Sequence, residues 1–245
     1  PVAHGPALLT PYDWVLRHRR TRFQEESARP ASPAAVLPLL GLPALWEVVD
    51  DRAALVDFAR DAARPRPTVT PTVQAYAKAA LRDLLLLQGD RAGAAAQNRD
   101  LGFVTSFAIL GPFDNDGRRG HAAVYPPEQE ERAPGAEQTY EGRHARLPLH
   151  WRLVPPEMLA RDGSLRIDPW MSPDTQGTVY AVSYVRSAAA QRVAVRVGSS
   201  GPVKVWVNRG SAPVINSDAY RPMRMDQDAG GAQLVAGWNR ILVKL

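Results

Sequence analysis

The stretch Arg192-Val-Ala-Val-Arg-Val-Gly-Ser-Ser-Gly-Pro-Val-Lys-Val-Trp-Val-Asn208 decides what kind of fold this chain adopts. Valine occupies every second position of residues 193–197 and again of residues 203–207, and a Gly/Ser/Pro segment separates the two runs. A period of two is typical of strands that bury one face, and the glycines allow the chain to reverse. The stretch therefore predicts two half-buried β-strands joined by a tight turn, that is, a β-hairpin.

Other segments of the C-terminal part have a similar strand pattern. The tail Gly237–Leu245 is predicted to be a strand, and Gly111–Gly117 a turn-rich loop. The other predicted strands are Phe103–Leu110, Arg146–Val154, Leu165–Ile167, Thr178–Val185, Ala212–Ile215 and Gln233–Val235. About nine short strands with turn signals between them predict an antiparallel β-sandwich or jelly roll over residues 101–245.

Residues 34–100 have a helical pattern instead. Apolar residues of Thr72–Gln88 recur with a period near 3.6, and Gly89 follows that run. Asp51 is expected to cap a second helix, and Arg91–Asp100 a third, short and rich in alanine. Residues 79–96 resemble one helix–turn–helix unit of a tetratricopeptide (TPR) solenoid, although no second copy follows at a fixed period. The sequence thus predicts an α+β protein, with a helical, TPR-like hairpin segment at 1–100 and a β-sandwich domain at 101–245.

Charge and composition limit the classes of partner. The net charge of +5 comes almost entirely from scattered arginines, and the aromatic residues do not interleave with them as a nucleic-acid stacking surface requires. Tyr12–Phe23 is arginine-rich and is predicted to form a solvated helix face, or else a patch for an acidic partner. No apolar run approaches the roughly 20 residues that cross a bilayer. We therefore expect neither a nucleic-acid-binding nor a transmembrane protein.

Catalytic motifs are not found in the sequence. Nucleophile elbows, phosphate loops and His-Glu-x-x-His are all missing, the five histidines are scattered, and there is no cysteine. Glu128, Glu130 and Glu131 could supply an acid/base pair by number, but we expect them to be solvated. The chain is therefore predicted not to be an enzyme and to hold no catalytic cofactor.

One loop has the composition of a calcium site. Asp114, Asn115 and Asp116 place carboxylate and amide oxygens, which are hard ligands suited to Ca²⁺, beside glycine. Asp226 and Asp228 could belong to the same or another site. The alternative is a turn in which the Asx side chains bond their own backbone. A structural calcium ion is thus the one metal that the sequence proposes.

The part of the chain from about residue 101 resembles the galactose-binding-like jelly-roll domains that follow helical repeats in large exported myxobacterial-type proteins. The motifs that carry this resemblance are Ile109-Leu-Gly-Pro-Phe-Asp-Asn115, Val124-Tyr-Pro-Pro-Glu128, Tyr140-Glu-Gly142, His150-Trp-Arg152, Tyr180-Ala-Val-Ser-Tyr-Val185, Arg196-Val-Gly-Ser199, Val203-Lys-Val-Trp-Val-Asn208, Asp226-Gln-Asp228 and Gly237-Trp-Asn-Arg-Ile-Leu-Val-Lys244. The resemblance implies that the last strand lies near the middle of a sheet, that calcium is often held, and that the context is exported.

Three functions follow as expectations. The first is a non-catalytic binding or assembly module that mediates protein–protein interaction within a larger exported or cell-envelope protein, from which the chain, beginning at Pro1 rather than Met, would be processed. The second is a carbohydrate-binding module, and the third an accessory domain of a peptidase or glycosidase. The residues predicted to bind sugar or partner are the aromatic and arginine side chains Tyr125, Tyr140, Trp170, Tyr220 and Arg221.

Overall fold

A computed structural model of the chain describes residues 36–67, 69–130, 138–143, 148–155, 159–160, 164–172, 175–210 and 212–245. Helices precede an antiparallel multi-stranded region, so the predicted α+β class is confirmed. The chain forms two compact units, and the second begins at Val104. The arginine-rich segment Tyr12–Phe23 and the glutamate Glu131 lie outside the described residues.

Among the residues that the structure describes, the helical unit contains four α-helices and one 3-10 helix. They are α1 (Val36–Gly41), the 3-10 helix Leu42–Glu47, α2 (Arg52–Ala62), α3 (Pro71–Gln88) and α4 (Arg91–Leu101). As predicted, the Asp51 carboxylate accepts the Ala54 backbone N–H at 2.9 Å, and Gly89 ends α3 with φ of 91°. The apolar faces of these helices share one core, centred on the fully buried Leu84. None of the described helices is both long and apolar enough to cross a membrane.

The described part of the second unit contains ten strands and short helical turns. The strands are β1 (Ala108–Asp114), β2 (Tyr140–Glu141), β3 (Pro148–Leu149), β4 (Arg152–Leu153), β5 (Gly177–Ser187), β6 (Gln191–Val197), β7 (Val203–Val207), β8 (Ile215–Ser217), β9 (Asp228–Leu234) and β10 (Gly237–Lys244). The turns are the 3-10 helices Asp116–Arg118 and Asp168–Trp170 and the one-turn helix α5 (Pro126–Gln129). Two local predictions were wrong: Leu165–Ile167 forms no strand, and Gly111–Asp114 continues β1 through a bulge after Leu110.

Six strands form one antiparallel sheet in the order β4-β1-β5-β10-β7-β8. The C-terminal strand β10 lies inside this sheet, paired with β5 from Gly237 to Lys244 and with β7 from Ile241 to Lys244. Two further antiparallel pairs, β2–β3 and β6–β9, complete the strand pairing. The last strand is therefore central, as the sequence resemblance implied.

The predicted hairpin of the two valine runs is wrong in its pairing, although both strands form. β6 pairs with β9 through seven consecutive residues, whereas β7 pairs with β10 and β8. The Gly198–Pro202 connection therefore joins strands of different sheets. Gly198 is required there because a Cβ atom at this position would lie 2.0 Å from the Arg224 carbonyl oxygen. The period-two pattern predicts a strand and its buried face, but not which strand becomes its neighbour.

The six-stranded sheet packs apolar side chains on both faces. On one face, Val203, Val205 and Ile215 contact valines of β6, so the β6–β9 pair covers this part of the sheet. On the other face, Tyr180, Val182, Trp206 and Leu242 pack with aromatic residues that include Tyr140 of β2. We call these the aliphatic face and the aromatic face. Charged side chains of the site described next lie on the aromatic face.

Candidate functional site

A buried lysine is the centre of the aromatic face. Lys244, the last residue of β10, is only 1 % exposed. Its Nζ donates to Glu128 Oε1 at 2.7 Å and to the Ala123 carbonyl oxygen. It also lies 5.3 Å from the Tyr125 ring centre and 5.7 Å from that of Tyr180. A buried ammonium group requires such a carboxylate and such ring faces, because burial removes its water.

Two tyrosines complete this cluster, which we call the lysine cluster: Lys244, Glu128, Tyr180 and Tyr125. The Tyr180 hydroxyl donates to Glu128 Oε1, and the Tyr125 hydroxyl donates to the Asp114 carbonyl oxygen. Burial, followed by the bond to Glu128, raises the pKa of Tyr180 well above its usual value. Burial also raises the pKa of Tyr125 and lowers the pKa of Lys244. Each polar group of the lysine cluster thus has a partner inside the fold.

A second bonded group lies beside it. The Glu130 carboxylate accepts from the Tyr140 hydroxyl at 2.9 Å and from Gln138 at 2.7 Å, and Trp151 donates to the same hydroxyl at 3.0 Å. Tyr140, predicted to bind sugar or partner, is 5 % exposed and belongs to the aromatic core. The expectation that Glu128 and Glu130 are solvated was wrong: they hold hydroxyl and ammonium groups in place.

An open cleft of about 250 Å³ adjoins these glutamates. Its lining consists of Glu128, Gln129, Glu130, Trp206, Asn208, Arg209, Gly210, Arg240 and Leu242. Arg240 donates to the carbonyl oxygens of Pro127 at 2.9 Å and Glu130 at 3.4 Å, and Asn208 bonds Asn239. The walls of the cleft are therefore mostly fixed by hydrogen bonds within the fold.

Several loops meet at one end of the six-stranded sheet. The strand pairing places the end of β1, the start of β5, the end of β10, the start of β7 and the end of β8 side by side. We call the segments 114–125, 175–177, 198–202 and 218–227 that extend from these strand ends the loop end. Hydrogen bonds join two of these segments, 198–202 and 218–227, from Arg221 N to Ser200 O and from Ser199 N to the Gln227 side chain. The loop end contains seven of the ten predicted site residues: Asp114, Asn115, Asp116, Tyr125, Tyr220, Arg221 and Asp226.

The predicted calcium ligands surround an arginine. Arg143 donates from Nη2 to Asp116 Oδ1 at 2.9 Å, and its Nε lies 3.8 Å from Asp114 Oδ1. Asn115 Oδ1 accepts the Gly120 backbone N–H at 2.8 Å, as in the alternative of an Asx-bonded turn. Among the described residues, no group of three or more acidic or histidine side chains is placed to hold a metal ion. The guanidinium group of Arg143 supplies the positive charge between these carboxylates.

The other predicted aspartates are paired in the same way. Arg196 donates to Asp226 Oδ2 at 2.9 Å, and Arg221 forms an ion pair with Asp228. Arg221, predicted to bind a ligand, is thus held by a carboxylate of β9. Trp170, another predicted binding residue, lies away from the loop end, beside β4, where its carbonyl oxygen accepts from Arg152 at 2.7 Å and its ring packs on an apolar cluster.

One aromatic side chain of the loop end is largely open to solvent. Tyr220 is 55 % exposed, and the Arg118 guanidinium carbon lies 4.8 Å from its ring centre. Nearby, His121 Nε2 is 3.0 Å from Asn216 Oδ1, and burial lowers the pKa of His121. Arg118 comes from the β1–α5 loop and Tyr220 from the β8–β9 loop. The pair therefore exists only because the sheet brings these distant loops together.

Sequence reasoning missed Lys244 and Arg118, and it considered Glu128 only as a possible acid/base group. A signal for the first was present, because Lys244 shares a strand face with the apolar Leu242, and a lysine at a core position requires a partner. No sequence signal marks Arg118, which is one of many arginines. A scan against protein-family models found no match to this chain, and searches of the curated proteins and of the solved structures found none either.

Proposed function

We propose that the chain is a non-catalytic binding and assembly module, and that its strand-rich unit is a galactose-binding-like jelly roll that binds a protein partner through the loop end. The observation that carries this proposal is the exposed Tyr220, which lies beside Arg118 and belongs to a loop that hydrogen bonds hold to segment 198–202. Exposed aromatic and arginine side chains on a rigid scaffold are typical anchors of protein interfaces.

The bonding of the carboxylates supports a role without catalysis. Glu128 holds Lys244 and Tyr180, Glu130 holds Tyr140, and Asp116 holds Arg143. An acid or base needs a carboxylate that can exchange its proton with a substrate. Side chains engaged in these internal bonds instead stabilise the fold that presents the loops.

A protein partner is favoured over a sugar by the apolar side chains of the same loops. Met223 and Val124 are each at least half exposed and belong, like Tyr220, to the loop end. Flexible or aliphatic apolar groups bury well against protein side chains, whereas sugar recognition depends on flat aromatic rings. The resemblance to exported multidomain proteins suggests that the module acts within a larger exported or cell-envelope protein.

A photo-crosslinking experiment tests the proposal. A photoreactive amino acid is placed at position 220 in the chain expressed in its source cells, and a control chain carries it at position 192 on the exposed β6 surface. We expect one adduct of discrete mass from position 220 and none from position 192. Absence of an adduct from position 220, or equal adducts from both positions, would contradict the assignment of the loop end.

Carbohydrate binding is the second candidate, because the exposed ring of Tyr220 lies beside the hydrogen-bonding guanidinium group of Arg118. Sugar-binding modules combine a ring face with hydrogen-bonding groups in this way. A glycan array separates the candidates: specific binding of one glycan that is lost on Tyr220→Ala would replace the protein partner by a sugar. We expect that no glycan on the array binds the chain and that the adduct from position 220 forms.

A further inference from the structure

The backbone at Arg118 adopts a conformation that arginine rarely takes. Gly117 and Arg118 are the two central residues of the turn 116–119, and both have positive φ, 63° and 62°. This is the arrangement of a type I′ turn, where glycine or asparagine is the usual choice for the second position. A side chain other than glycine at such a φ is strained, and strained residues cluster at binding sites. The arginine therefore occupies a position where the fold alone favours glycine.

The guanidinium group of Arg118 has an aromatic contact but no acidic one. It lies over the exposed ring of Tyr220, and within the described part of the chain it forms neither a salt bridge nor a hydrogen bond to a carboxylate. Two neighbouring arginines differ, because Arg143 bonds Asp116 and Arg221 bonds Asp228. Stacking on a ring leaves the edge of the guanidinium plane, with its fork of N–H donors, open to solvent.

The charge around this pair that is not already paired is positive. Asp114 and Asp116 contact Arg143, and Asp226 bonds Arg196. Arg119 and Arg224 are exposed in the loop end and form no ion pair among the described residues, whereas Asp218 is the acidic side chain left without an ion pair there. A guanidinium group that lies on a ring and has positive charge around it suits a planar carboxylate. Its N–H donors can bind the carboxylate with two parallel hydrogen bonds. Met223 and Val124, which are exposed in the same loop end, would contact the apolar atoms of the segment that carries this carboxylate.

We propose that Arg118, stacked on Tyr220, is a carboxylate-binding site, and that the partner of the loop end presents it with an acidic polypeptide segment. This inference rests on the proposed function and specifies the chemistry of its partner. Arg118 provides the hydrogen-bonding fork, and Tyr220 fixes its plane. The turn 116–119 positions Arg118 over the ring before the partner binds.

Binding of a synthetic poly-L-glutamate peptide to the full chain tests the proposal, with poly-L-glutamine of equal length as the neutral probe. Arg118→Gly is the decisive variant, because glycine accepts the positive φ and the turn is retained. Arg192→Gln removes the same charge from an exposed position of β6 and serves as the matched control. Loss of a charge-assisted bidentate contact is expected to weaken poly-L-glutamate binding about tenfold or more.

The expected pattern is weak binding by Arg118→Gly, intermediate binding by Arg118→Lys, and wild-type binding by Arg192→Gln. Equal weakening by Arg118→Gly and Arg192→Gln, or no poly-L-glutamate binding by the wild type, would overturn the proposal. If the full chain binds polygalacturonate more tightly than poly-L-glutamate through Arg118, the assignment of a polypeptide as the partner is overturned. If Arg118→Gly still forms the adduct from position 220, the carboxylate site is refuted while the proposed function stands.

Discussion

Two cation–tyrosine contacts at the same end of the sheet differ in their surroundings. In the lysine cluster, Lys244 is buried between tyrosine rings and its charge is balanced by Glu128. In the second contact, Arg118 lies over the exposed Tyr220 and has no carboxylate partner among the described residues. We call the buried contact of Lys244 the closed contact, and the exposed contact of Arg118 the open contact. The closed contact stabilises the fold, and the open contact is available to a partner.

The largest effect is expected from breaking the closed contact. Glu128→Leu leaves the ammonium group of Lys244 buried without its counter-charge, which should lower the free energy of unfolding by about 3–5 kcal/mol. Urea denaturation of the full chain measures this loss. The double variant with Lys244→Met removes both charges, and it should recover much of the stability because two apolar side chains can fill the same space. A double variant no more stable than Glu128→Leu would contradict this account of the lysine cluster.

Alkaline pH should lower the free energy of unfolding gradually, through the tyrosines of the aromatic face. The pKa values of Tyr125, Tyr140, Tyr180 and Tyr184 are raised, in each case chiefly by burial. Above pH 10, where tyrosines of the unfolded chain lose their protons, the folded chain keeps them, so that the free energy of unfolding falls as pH rises. The lowered pKa of Lys244 acts in the opposite direction just below pH 10.5, but it is one group against four.

The pH dependence can be measured as the urea midpoint between pH 9 and pH 11. We expect a steady decrease above pH 10 and a smaller decrease in Tyr180→Phe, which lacks the most buried of the four hydroxyl groups. A midpoint that is constant or rises over this range would contradict raised tyrosine pKa values in the folded chain.

The sequence predicted the elements better than their pairing. The strands β5, β6, β7 and β10 and the helices α2 to α4 follow from periodicity and caps, which are local properties. The pairing of β6 with β9 does not, because a valine alternation is compatible with any neighbour of the right length. Leu165–Ile167 was predicted as a strand from its apolar residues alone, yet these pack into a core without strand pairing.

For the candidate site too, the sequence predicted the residues better than their contacts. Local composition selected Asp114–Asp116, Tyr220 and Arg221, and the fold gathers them at one end of the sheet. Composition did not predict that Arg143 lies between the aspartates or that Arg118 lies over Tyr220, because these contacts join loops distant in sequence. Tyr140 was selected as an aromatic residue near a turn, but its hydroxyl is bonded within the core. The ligand-binding roles of these residues stay predictions.

The most direct test compares the stability and the binding of Arg118→Gly. An arginine that serves a partner instead of the fold can be replaced without loss, so the free energy of unfolding should stay within about 0.5 kcal/mol of wild type or rise slightly as the turn strain is relieved. The affinity for poly-L-glutamate should fall in the same sample. A loss of stability above about 1 kcal/mol with unchanged affinity would assign Arg118 to the fold and contradict the account.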